Sequence, residues 1–104
     1  MAKLILQPKP IFEATVGIPA AGAGVLPVVF TFKHRTRSEL KAFVAGLGDF
    51  ANDVELIMAM ASGWDLSDPF TTANVELLVE NFVASPTAIL DTYLDQLARG
   101  REKN

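Results

Sequence analysis

The apolar spacing of this chain changes period once, near Arg35 and Thr36, and that change decides which folds are open to it. Before it, two runs alternate. Phe12, Ala14 and Val16 share one side of Ile11 to Val16, opposite Glu13 and Thr15. Val28, Phe30 and Phe32 share a side opposite Thr31 and Lys33. Period-two alternation rich in aromatic and β-branched residues predicts half-buried strands. After it, apolar residues recur at three and four, as in Leu40, Phe43, Val44 and Leu47, which is the spacing of a helix with one buried face.

Between the two strand-like runs lies Gly17 to Gly24, which reads GIPAAGAG. Three glycines, a proline and alanines offer little to bury, so residues 17–25 are expected to form a flexible loop closing an antiparallel hairpin. Val25 and Leu26, at its end, are more apolar than a solvated turn needs. Lys3 to Leu6 offers a third short strand. In the second part, Thr36-Arg37-Ser38-Glu39 fits a capping box, with Gly46 or Gly48 closing the first helix. A second helix is expected from Asp49 or Asn52, with Gly63 as its cap, and a third from Thr71 or Thr72 along Val75, Leu78, Val79 and Phe82. Ser85 and Pro86 mark the start of a fourth, and Gly100 follows its end. Ile89, Leu90, Tyr93, Leu94 and Leu97 form its stripe, with Arg99 and Arg101 where the helix dipole favours cations.

Strands first and helices after predict an α+β fold: an N-terminal antiparallel β-hairpin (1–35) followed by a small bundle of three to four α-helices (36–104). At 104 residues the chain is expected to form a single domain. Its longest apolar stretch, Ile18 to Phe30, is short for a membrane span and is broken by Pro19, Gly22, Gly24 and Pro27, which predicts a soluble cytosolic protein.

Catalytic chemistry finds little to work with. There are 0 cysteines and 1 histidine, which excludes disulfides, Cys-bearing zinc sites and any site built on two imidazoles. His34 lies between Lys33 and Arg35, cations rather than the carboxylate that orients a general base, and reads as a junction residue. Asp65 and Asp68 lack the further ligands and the closing Glu of a calcium loop. They read as a connection in which a carboxylate bonds backbone amides, with Trp64 and Phe70 plugging the core. Gly17, Gly22 and Gly24 precede no Gly-Lys-Ser/Thr and make no phosphate loop. No enzyme activity, metal, cofactor, nucleic acid or membrane partner is expected.

Surfaces for protein partners are better represented. Residues 1–48 carry six cations against two acids, and residues 49–104 three against ten. Such a division suits stacking of copies through opposite charge. Lys33, Arg35, Arg37 and Lys41 form the basic cluster, and Asp91 and Asp95 mark an exposed side of the last helix. Met58 and Met60, two residues apart on one helix, cannot both face one core, so one reaches a second surface or a subunit interface.

The chain also resembles a known family. Phe30-Thr31-Phe32-Lys33-His34-Arg35-Thr36, then Gly63-Trp64-Asp65-Leu66 and Asp68-Pro69-Phe70, then Asn74-Val75-Glu76-Leu77-Leu78, and a last helix with Tyr93 and Leu97 before a Lys-Asn ending resemble the tail assembly chaperones of phages with long non-contractile tails and of related prophages. The likeness covers residues 26–104. It implies a role similar to that of the lambda tail assembly chaperone. Such a protein binds the tape measure protein, keeps it soluble, helps recruit tail tube subunits, in some cases through a longer frameshifted form, and is absent from the mature virion. It also implies action in the host bacterial cytoplasm, and the division of charge along the chain suits head-to-tail self-association into a ring or filament. The alternative is a small virion structural protein of the head–tail connector or tail. No family binding residue transfers by position. Val25, Leu26, Met58, Met60 and the charged residues above are candidates from this sequence alone.

Overall fold

The alternating runs form β1 (Ile11–Ala20) and β2 (Gly24–Lys33), paired antiparallel from Ile11 opposite Lys33 to Ala20 opposite Gly24. Four α-helices follow, α1 (Arg37–Ala45), α2 (Asp53–Met60), α3 (Thr72–Asn81) and α4 (Ser85–Leu94), in a computed structural model that describes residues 3–99. The fold is α+β, with the hairpin first and the helices after it.

The hairpin is longer and tighter than its composition implies. Residues 17–25 are not a loop: Gly17 pairs with Pro27, Ile18 with Leu26 and Pro19 with Val25, and only the turn 21–23 is left between the strands. The reason is burial. Ile18 and Ala20 continue the even-numbered face of Phe12, Ala14 and Val16, and both are buried, so extending the ladder gains apolar contact. The prolines do not oppose it. The Val29 N–H and carbonyl point away from β1, toward Asp65. By alternation Pro27 and Val25 point the same way, and Pro19, opposite Val25, faces the open edge. Neither proline sits where the β1–β2 ladder needs a donor. Gly22 and Gly24 close the turn with φ of 79° and 77°, a region other residues enter only with strain.

The third strand is not Lys3 to Leu6, which has no regular structure, but β3 (Ala61–Trp64), giving the order β1-β2-β3. Trp64 pairs with Phe30, Gly63 with Thr31 and Ala61 with Phe32, leaving Ser62 as a bulge. Thus Gly63 does not cap α2. The helix ends at Met60 and the chain turns directly into the sheet.

The core lies between one sheet face and the helices. Val16, Ile18, Phe30 and Phe32 meet Phe43, Ile57, Met60, Val75, Ile89 and Tyr93. The helix starts follow the sequence closely. Thr36 Oγ1 accepts from the Glu39 N–H at 3.2 Å, and Glu39 Oε1 accepts from the Thr36 N–H at 2.8 Å, completing the capping box. Asn52 and Thr71 cap α2 and α3 with one side-chain bond each, accepting from the N–H groups of Glu55 and Asn74. At α4 the cap position falls on Ala84, so Ser85 is inside the first turn, buried, with its hydroxyl unpartnered. The turn Asp95–Arg99 continues α4 in a wider π geometry. The expected end at Gly100 and the cation Arg101 lie outside the described residues.

Candidate interaction surfaces

The basic cluster divides into two halves with different work. Lys33 Nζ donates to the Met58 carbonyl and Arg35 Nη1 to the Ala59 carbonyl, each at 3.0 Å. α2 carries no basic residue in its last turn. Two side chains from the β2–α1 junction therefore satisfy carbonyls that the helix end leaves open, and they complement its dipole. The Arg35 guanidinium also lies 4.4 Å from the centroid of Phe43 and donates to the Tyr93 hydroxyl at 2.7 Å. That hydroxyl donates in turn to the Lys33 carbonyl at 2.7 Å. Burial raises the Tyr93 pKa, against the opposing pull of Arg35. Lys33 and Arg35 thus tie sheet, α2 and α4 together, while Arg37 and Lys41 stand exposed on α1. His34 is half-buried at the junction, and its N–H donates to the Pro10 carbonyl at 2.8 Å.

Asp91 and Asp95 do not share a surface. Asp91 is exposed, whereas Asp95 is buried and accepts from Arg99 at 2.9 Å. The step between them is an ordinary helical one, with the Asp95 N–H donating to the Asp91 carbonyl; four residues overshoot one 3.6-residue turn, which carries Asp95 round toward the side of the buried Thr92. The acids that do gather lie elsewhere. Asp53 and Glu55 on α2 and Glu76 and Glu80 on α3 border a groove of about 560 Å³ whose apolar lining is Val54, Met58 and Val79. Met58 is the methionine that reaches this second surface, and Met60 is fully buried.

A second surface is apolar. Trp64, Leu66, Leu77 and Phe82 line a hollow of about 150 Å³ between β3 and α3. Next to it, Pro19, Ala20, Phe82 and Val83 line another of about 320 Å³ between the hairpin tip and the α3–α4 connection. The two share Asn81 and Phe82 and form one continuous stretch of surface. Val83 is 86% exposed, Leu77 58% and Leu66 40%. Val25 and Leu26 are also exposed at the hairpin tip, on opposite faces of β2 because strand side chains alternate. Leu66, Leu77 and Val83 were not among the residues singled out from the sequence. Leu77 falls off the α3 stripe and Val83 beyond the helix end, and that excess of bulky apolar residues outside the buried pattern was the available signal. Trp64 is half-buried rather than a full core plug: it stands on the edge strand, edge-on to Phe30 and Phe70, with Nε1 donating to the Asp68 carbonyl at 2.7 Å. Asp65 does bond a backbone amide, as its Oδ1 accepts from the Val29 N–H at 2.9 Å.

Among the described residues no group of three or more His, Cys, Asp or Glu is placed to hold a metal ion, and no helix is long and apolar enough to cross a membrane. A family model described as phage tail assembly chaperone matches residues 1–104. The chain belongs to that family. The likeness carried by residues 26–104 therefore extends over the hairpin as well, including the first 25 residues, where the sequence alone shows no signature. No curated protein and no solved structure matches this tail assembly chaperone.

Proposed function

We propose that this chaperone binds the tape measure protein of its phage through the apolar stretch from Leu66 to the hairpin tip, and keeps that long client soluble until the tail tube is assembled around it. The observation that carries the reading is the exposure of Leu77 and Val83, 58% and 86%, beside two shallow hollows in a member of a chaperone family. Shallow apolar hollows of this size accept single side chains rather than a deep anchor. That suits weak, repeated contact with many apolar stretches of one client. Leu26, on the face of β2 that it shares with Val28 and Phe30, extends the same contact at the hairpin tip, and Val25 offers a separate contact on the opposite face.

In this reading the protein works without catalysis in the host cytoplasm, several copies associate along the client, and tail tube subunits are recruited to the complex, with a longer frameshifted form as one route. The protein then leaves before the virion matures. The experiment is the protein composition of purified particles set against that of assembly intermediates from the same lysate. The chain is expected in complexes that contain the tape measure protein and absent from finished particles. Its recovery in finished particles would instead make it a structural component of the virion.

A further inference from the structure

Leu4, Ile5 and Leu6 are 90%, 68% and 91% exposed, and nothing among the described residues covers them. They lie in Lys3-Leu4-Ile5-Leu6-Gln7-Pro8-Lys9, an apolar triplet with a lysine on each side. The arm is rooted firmly. The Pro10 carbonyl accepts from the His34 N–H at 2.8 Å, and Pro8 and Lys9 line a hollow together with Phe12, His34 and Leu97. Pro8 and Pro10 stiffen the root from which the triplet departs.

The α2–α3 groove has the opposite chemistry in the same arrangement. Val54, Met58 and Val79 give it an apolar floor, and Asp53, Glu55, Glu76 and Glu80 give it carboxylates on both helices. No residue that lines the groove is among those that hold the arm's root. The five residues Lys3 to Gln7, extended, reach about 17 Å, enough to lie along a groove between two helices of this length.

We propose that the arm of one copy, Lys3 to Gln7, seats in the α2–α3 groove of a second copy, Leu4 and Leu6 on the floor and Lys3 against the carboxylates, while Pro8 and Lys9 stay at the root. This rests on the reading that copies of the chaperone associate, and it names the two surfaces that do so. Arm and groove are different surfaces of one chain, so the contact is heterologous and repeats from copy to copy instead of closing as a two-fold dimer.

The test uses two variants of the full chain, both altered only at exposed positions: Leu4→Ser with Leu6→Ser in the arm, and Glu76→Lys with Glu80→Lys in the groove. Circular dichroism first establishes that both are folded. In sedimentation at low salt the unaltered chain should form a concentration-dependent series of oligomers, and each variant alone should sediment as a single chain. Mixed together, the variants should form pairs and nothing larger. The arm of the groove variant is intact, the groove of the arm variant is intact, and only one junction can form. Oligomers that persist in either variant, or variants that fail to pair on mixing, would overturn the arm–groove contact and leave association to another surface. An unaltered chain that stays single at every concentration would overturn both this contact and the association reading.

Discussion

The Tyr93 hydroxyl stands 2.7 Å from Arg35 Nη1 and receives its hydrogen bond while donating its own to the Lys33 carbonyl. Through that one oxygen the last helix is joined to the strand–helix junction, and through Arg35 and Lys33 the junction is joined to the end of α2. Tyr93→Phe keeps the ring, and with it the packing against Phe12, Phe32 and Phe43. It leaves Arg35 and the Lys33 carbonyl each one partner short. The expected loss is about 1–3 kcal/mol in chemical denaturation, the range for a buried polar group left unpaired. A loss within a few tenths would show that water replaces the hydroxyl.

Ser85→Ala should go the other way. Sequence places Ser85 as the cap of α4, which would make its removal cost about 1 kcal/mol. In the structure its hydroxyl is buried without a partner, so losing it should be neutral or stabilising by up to about 1 kcal/mol. A lower melting temperature for the alanine variant would restore the capping role.

Gly22→Ala and Gly24→Ala each force a side chain into positive φ, though neither added Cβ meets another atom. The cost should therefore be conformational alone, about 1–2 kcal/mol per site, read as a fall in the denaturation midpoint with an unchanged slope. No change at either position would mean that the turn relaxes to another form.

Two titrations contribute to the pH dependence of stability. Hydrogen bonding from the Thr36 backbone N–H, and then from its hydroxyl, lowers the Glu39 pKa below its ordinary 4.5. Its contribution is present above that ordinary value and is lost as pH falls through the lowered one. Burial raises the Tyr93 pKa above its ordinary 10.0. Its contribution is complete below that value and is lost as pH rises through the raised one, because the buried phenol must then ionise. Melting temperature against pH should fall at both ends, and Tyr93→Phe should remove part of the alkaline fall. An alkaline limb identical in that variant would exclude Tyr93 as its source.

The fold class and the helix starts were legible in the sequence because they rest on local chemistry. The capping box at Thr36 and Glu39 and the caps at Asn52 and Thr71 need only residues within one turn of each other. β3 was not legible. Ala61 to Trp64 has no alternating pattern of its own and becomes a strand because the β2 edge offers it partners, with Asp65 extending the pairing to Val29. The hairpin tip was misread for a related reason. Glycine and alanine content speaks for a loop, while the burial of Ile18 and Ala20 is settled by helices far along the chain. The charged surfaces were half legible. Counting charge found the basic and acidic halves, but only tertiary structure shows that Lys33 and Arg35 serve the end of α2 and that Asp95 turns inward. The gathering of Asp53, Glu55, Glu76 and Glu80 across two helices is a property of their packing.

The central claim is that the apolar stretch of this chaperone holds the tape measure protein in solution. The most direct measurement is the soluble fraction of that protein expressed alone, with this chain, and with a chain carrying Leu77→Asp and Val83→Asp, both exposed positions whose replacement leaves the core intact. The client should be mostly insoluble alone, soluble with the unaltered chain, and insoluble again with the folded double variant. A client kept fully soluble by the double variant would contradict the account.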